Sequence, residues 1–152
     1  LTIYLRTMAY KTKFNPINRS KYAGNVNNII CRSLWERKVC KYLDENKNVL
    51  QWGSEELVIP YVSPIDNKVH RYFPDFIAEI KTKDGDVKTF VIEVKPEKQT
   101  KKPQKKKKSK RTFLSEVKTY AINEAKWIAA TKYCEDKGWY FKIVTEKTLN
   151  IR

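Results

Sequence analysis

Apolar residues recur at helical spacing in two stretches of the chain and in short runs of strand length between and after them. Ser33 opens the first helix as an N-cap, with Glu36 three residues on, in the pattern of a capping box. Leu34, Trp35, Val39, Tyr42 and Leu43 then form an apolar stripe, and the helix is expected to end near Asn46. A short apolar run at 49–52 and a strand at 56–62 follow, then turn chemistry from Pro64 to Lys68. A second strand is predicted at 69–73, and the run at 74–80 carries an acid, Asp75, near its start. Lys83-Asp84-Gly85 reads as a hairpin loop, with 89–95 pairing back. A long helix is expected over 114–137, with Leu114, Val117, Ala121, Ala125, Ile128 and Ala129 as its buried stripe and Tyr120 and Trp127 flanking. Gly138 stops it, and 139–145 form the last strand. Strand, helix, strand implies a right-handed crossover with the last strand parallel to the one before the helix. The order is helix, three antiparallel strands, helix, strand, with no internal repeat.

Within this pattern Phe90-Val91-Ile92-Glu93-Val94-Lys95-Pro96 stands out. Period-two geometry puts Glu93 and Lys95 on one face of an otherwise apolar strand. Acid-x-lysine recurs elsewhere by chance in so lysine-rich a chain; only here does it sit in an apolar, β-branched run. Burying both charges is costly unless a site uses them. The strand alone leaves two readings open, a site wall or an edge strand whose charges point to water.

Hairpin register separates useful from useless arrangements. A two-residue loop at Asp84-Gly85 sets Asp75 opposite Val94, on the wrong face. A three-residue loop, Lys83-Asp84-Gly85, with Gly85 left-handed and a bulge, sets Asp75 opposite Glu93 with Cβ atoms about 5 Å apart. The three-residue loop is the expectation.

Composition narrows the chemistry. The 152 residues fit one domain, and 41% hydrophobic residues suffice for a core. Lysine and arginine number 32 against 17 acids, a formal charge of +15, which implies a polyanionic partner such as nucleic acid. Residues 97–111 hold nine basic residues and one acid. This segment reads as a basic mobile loop that lies on a phosphate backbone through Lys98, Lys101, Lys102, Lys105, Lys106, Lys107, Lys108, Lys110 and Arg111. Residues 1–28 read as an N-terminal arm and 29–152 as the domain; Met8-Ala9-Tyr10 reads as a start, with the first seven residues an upstream extension. Three cysteines without metal-ligand spacing, and His70 as the sole histidine, argue against zinc and against serine–histidine catalysis. A metal here would be a hard cation held by carboxylates. No apolar run spans a bilayer and no leader is visible, so a soluble intracellular protein is expected. His70, Tyr120 and Trp127 are read first as structural, with base stacking an alternative for the two aromatics.

Pro74-Asp75 and Glu93-Val94-Lys95 on successive strands, after a helix carrying Glu36, resemble the PD-(D/E)xK nuclease superfamily. Further stretches are similar to the head-completion nucleases of T-even-like tailed bacteriophages: Arg32-Ser33-Leu34-Trp35-Glu36, Ser54-Glu55-Glu56 leading into Val58-Ile59-Pro60-Tyr61, His70 to Phe76, Ala125 to Ala130, Gly138-Trp139 and Val144-Thr145-Glu146. Transposon end-cleaving endonuclease subunits resemble the chain more loosely. The resemblance implies an α/β, restriction-endonuclease-like core (α-β-β-β-α-β) and a metal-dependent DNA endonuclease. It implies Mg²⁺, with Mn²⁺ as substitute, on Asp75, Glu93, Glu36 and the Val94 carbonyl, and Lys95 as the cationic catalytic group. It implies double-stranded DNA as substrate, phage portal or head–neck proteins as partners, and neither membrane nor small-molecule substrate. The setting would be the host cytoplasm in late head assembly, with retention in the virion head. The rivals are a non-catalytic DNA-binding capsid-completion protein and a junction or transposition endonuclease of the same superfamily.

Overall fold

The structure, a computed structural model, describes residues 11–149; the start at Met8 lies outside them. Two short strands, β1 (Thr12–Lys13) and β2 (Ile30–Cys31), pair ahead of helix α1 (Leu34–Glu45). Six strands and a second helix follow: β3 (Val49–Ser54), β4 (Ile59–Val62), β5 (Val69–Tyr72), β6 (Phe76–Lys81), β7 (Val87–Val94), α2 (Lys110–Lys137) and β8 (Tyr140–Val144). The main sheet has the order β3-β6-β7-β8. Its first three strands are antiparallel and β8 runs parallel to β7. Strands β4 and β5 stand apart as a hairpin inserted between the first two strands of that sheet.

Alternation divides the sheet into two faces. Trp52, Phe76, Ala78, Ile92 and Val94 point to one side and pack under Val39, Cys40 and Leu43 of α1. Glu93 shares the opposite face with its β8 partner Ile143. That side is covered by α2 and the β4–β5 hairpin, where Ile59, Tyr61, Tyr72 and Ala130 form a second core cluster with Ile122, Ala129, Tyr133 and Phe141 against it.

The segment ahead of α1 belongs to this core. Phe14 and Tyr22 are buried, with ring centroids 6.1 and 4.8 Å from that of Trp52. Asp44, only 1% exposed, ties the same segment down by accepting from the backbone N–H groups of Ile17 at 2.8 Å and Asn18 at 2.9 Å.

The helices depart from the expected stripes. On α1, Leu34 and Tyr42 are exposed, and Cys40 and Asp44 take the buried places. Helix α2 starts at Lys110, four residues early, because Ser109 accepts from the Thr112 N–H and caps it within the lysine run. Leu114, Val117 and Ile128 are exposed, while Asn123, Ala130 and Cys134 are buried. The helix thus packs through a face rotated from the one its apolar residues suggest, because the small hairpin beneath it accepts only part of its circumference. Gly138 ends it at φ +72°, donating to the Cys134 and Glu135 carbonyls.

Candidate active site

The β6–β7 turn fixes the geometry of the site. Gly85 has φ +87°, its N–H donates to the Thr82 carbonyl at 3.0 Å, and the Thr82 N–H donates to the Asp86 carbonyl at 2.8 Å. That is the three-residue loop with a left-handed glycine. It pairs Lys81 with Val87 and, at the far end, Phe76 with Ile92. Carried one step further, the same register sets Asp75 against Glu93 on one face. A side-chain bond joins the two strands there: Asp75 Oδ2 accepts from the Val94 N–H at 2.7 Å. The Asp75 carbonyl accepts from the Glu55 N–H at 3.0 Å, which ties the acid to the end of β3 as well.

Glu93 is 7% exposed. One of its oxygens accepts from the Tyr72 hydroxyl of the β4–β5 hairpin, and the other lies 4.0 Å from Lys95 Nζ. Lys95 follows β7 and stays on the β8 edge, its N–H donating to the Val144 carbonyl at 2.9 Å. Burial pushes both carboxyls up. For Asp75 the charges of Glu93 and Glu36 add to burial and carry it to about 8, against the Val94 N–H and Lys95. For Glu93 the Tyr72 hydroxyl, Lys95 and Lys126 oppose burial. Buried Glu93 and part-buried Asp75, both with raised carboxyls, make a site that gains by taking up positive charge.

Glu36 reaches this end of the sheet from α1, the helix that packs on the other face, close enough for its charge to raise Asp75. The Ser33 side chain accepts from its N–H at 3.1 Å, as a capping box requires. Its carboxylate does not close the box on Ser33; Oε2 accepts instead from the Arg32 N–H at 2.7 Å. Burial raises its carboxyl, the Arg32 N–H lowers it, and Lys95 is near enough to lower it further. Arg32 itself is clamped by Glu55 at 2.8 and 3.3 Å. Among the described residues no three acidic, histidine or cysteine side chains already close into a metal cage. Asp75 and Glu93 form the pair at the centre, and Glu36 stands beside it. A hard divalent cation suits this set, since it binds through one or two carboxylates and keeps several waters.

Two further side chains lie beside the acids that the strand pattern and the acid-x-lysine motif do not mark. Tyr72 is one, buried at the end of β5; burial and then Glu93 raise its hydroxyl well above the usual tyrosine range. Lys126 of α2 is the other. Its ammonium lies 5.8 and 5.6 Å from the ring centroids of Tyr61 and Tyr72, half-buried, and burial lowers its proton affinity against the pull of Glu93 and Asp75. The signal for Lys126 lay in the helical register: it is four residues from both Ile122 and Ala130, on the face that packs. His70 does not approach the acids; it bonds Asp66 at 2.8 Å on the exposed hairpin.

The basic segment follows directly on Lys95. Glu97–Thr100 form a short 3-10 turn that includes Lys98. Lys101, Lys102, Lys105, Lys106 and Lys107 are exposed, Lys108 bonds Glu116, and Lys110 and Arg111 belong to the first turn of α2.

Acid, acid and lysine on adjacent strands of a small mixed sheet flanked by two helices define a nuclease of the PD-(D/E)xK class. The family model for the TnsA-like endonuclease N-terminal domain matches residues 46–146, and the chain belongs to that family. It is also 40% identical to the head completion nuclease of Enterobacteria phage T4 over 146 residues, 93% of this chain and 95% of that protein. This second similarity takes in α1 and Glu36, which precede the family match. No solved structure matches the chain.

Proposed function

We propose that the chain is a Mg²⁺-dependent endodeoxyribonuclease that cuts double-stranded DNA late in phage head assembly, processing the packaged end before the tail joins. The observation that carries the chemistry is the bond of Asp75 to the Val94 N–H, next to Glu93 on the paired strand, with Lys95 4.0 Å from Glu93. The similarity to a head completion nuclease supports the setting.

Asp75, Glu93 and the Val94 carbonyl would hold the cation, with Glu36 completing the set. Mg²⁺, or Mn²⁺ in its place, would supply positive charge for the scissile phosphate and lower the pKa of the attacking water. Lys95 lies against the reacting phosphate and orients the attacking water or neutralises charge that builds on the phosphorus oxygens. Tyr72 locks the Glu93 rotamer through its hydroxyl. Lys126 adds a second ammonium, held over two tyrosine rings, on the α2 side of the same phosphate. A strand-borne set of this kind is rigid, which positioning demands. The lysines of residues 97–111 neutralise flanking phosphates without reading sequence. Portal or head–neck proteins of the virion, in the host cytoplasm and then in the filled head, would bring the enzyme to its end.

Supercoiled plasmid incubated with the protein and Mg²⁺, Mn²⁺ or chelator tests the reading. Nicked or linear product in either metal, and none in chelator, is expected; alanine at Asp75, Glu93 or Lys95 abolishes it. Metal-independent binding without nicking by the wild-type protein would replace the enzyme with a DNA-binding completion protein.

A further inference from the structure

The lysine segment that follows Lys95 and the first half of α2 line an open cleft of about 620 Å³. One wall is the chain running on from Lys95, with Lys98, Lys101, Lys102 and Lys106. The other is the first half of α2, with Tyr120 and Asn123. Both walls lead back to the reacting end of the sheet. Lys98 is three residues past Lys95, and Asn123 sits one helical turn ahead of Lys126. Lys106 adopts φ +42°, and the Lys108 N–H donates to the Lys105 carbonyl at 3.1 Å, so the segment turns back toward the helix. Lys108 is held there by Glu116. Lys101 lies 3.7 Å from Glu97, whereas among the described residues no acid lies within ion-pair distance of Lys98, Lys102 or Lys106.

We propose that this cleft holds a single-stranded DNA segment as it leaves the cleavage site; the assignment rests on the nuclease reading and narrows its substrate. Three features favour a single strand over a duplex. The cleft runs between two walls, whereas a duplex presents its phosphates on a broad outer surface. Tyr120 offers an aromatic ring among the lysines, and base faces are free to stack only when a strand is unpaired. Asn123, a polar side chain only 7% exposed, lines the same space, and its amide matches a base edge better than a phosphate.

The test separates this from the nuclease reading by measuring binding without chemistry. Full-length Asp75→Asn protein, free of divalent metal, is titrated against a fluorescent single-stranded oligodeoxynucleotide and a blunt duplex of the same length. Adding Tyr120→Ala should weaken single-strand binding about tenfold, one base stack lost, while changing duplex binding less than about twofold. Tyr120→Phe should restore it. Lys102→Glu, on the exposed segment, should weaken both but cost single-strand binding several-fold more than duplex binding; Lys83→Glu, an equal charge change on the remote β6–β7 loop, should show no such preference. The wild-type enzyme should cut a duplex with a single-stranded tail faster than a blunt one. Equal losses on both ligands, or no loss from Tyr120→Ala and Lys102→Glu, would overturn the proposal and leave the cleft a surface for duplex phosphates. Neither result alters whether the wild-type protein cleaves plasmid.

Discussion

Asp75 holds the strand that carries its partner acid: its Oδ2 accepts from the Val94 N–H, the residue next to Glu93, at 2.7 Å. The bond does two things at once. It satisfies half of a part-buried carboxylate, and it locks the register that puts Asp75 and Glu93 on one face. A slip of one residue would cost the bond and separate the acids together.

Metal-free stability should therefore depend on pH through Asp75. Burial, with Glu93 and Glu36, raises its carboxyl from about 4 to about 8. A group that binds its proton more tightly when folded stabilises the fold below its unfolded pKa, and that contribution is lost as pH rises through the folded value. Urea unfolding in chelator should show wild type falling behind Asp75→Asn between pH 5 and 8, by on the order of a few kcal/mol. Asparagine still accepts from Val94. Mg²⁺ should close the gap at pH 8 by stabilising only the wild type. Parallel stability curves for the two proteins would contradict the electrostatics.

Tyr72 should act through Glu93. Tyr72→Phe keeps the ring in the hairpin core and removes one buried donor, so the fold should lose only about 1 kcal/mol. The carboxylate loses the group that orients it. Half-maximal cleavage should then need about 10- to 100-fold more Mg²⁺, with the rate at saturating metal little changed. An unaltered metal midpoint would reduce Tyr72 to packing.

Lys126→Met keeps the stem between Tyr61 and Tyr72 and deletes the charge. If the ammonium faces the phosphate in the transition state, cleavage should slow by about 10²-fold while duplex binding in chelator stays within about twofold. Lys126→Arg should recover part of the rate. A loss of binding equal to the loss of rate would place Lys126 among the general phosphate contacts.

The sequence made some of this visible and hid the rest for physical reasons. Gly85 marks a left-handed turn but fits a two- or a three-residue loop; only the requirement that Asp75 and Glu93 share a face selects the three-residue loop that the structure has. Ser33 and Glu36 announced α1, though the Glu36 carboxylate turns to Arg32 instead of closing the box. The packed face of α2 was hidden. Its cap, Ser109, sits in a lysine run that reads as loop, and its exposed Leu114, Val117 and Ile128 resemble a core stripe. Lys126 was hidden with it, since a charge reads as solvent-facing until two tyrosines and two acids surround it. The Tyr72–Glu93 contact joins separate sheets 21 residues apart, and no local period encodes that. Asp44 is buried because the chain ahead of α1 brings its N–H groups to it, a long-range event in the same sense.

Salt dependence should report where the basic segment lies. Residues 97–111 contribute +8 of the +15 formal charge, and Lys105, Lys106 and Lys107 are exposed. On duplex DNA each neutralised phosphate releases counterion, and log affinity falls with log salt at about −0.9 per contact. Changing these three lysines to glutamine should flatten the slope by up to about 3 units and weaken binding most at low salt. Because none of the three touches the acids, the rate of single-turnover cleavage at saturating protein should stay near wild type. A slope that does not change would mean that these side chains remain in solvent when DNA is bound. The remaining positive charge would then have to guide the substrate to Asp75 and Glu93.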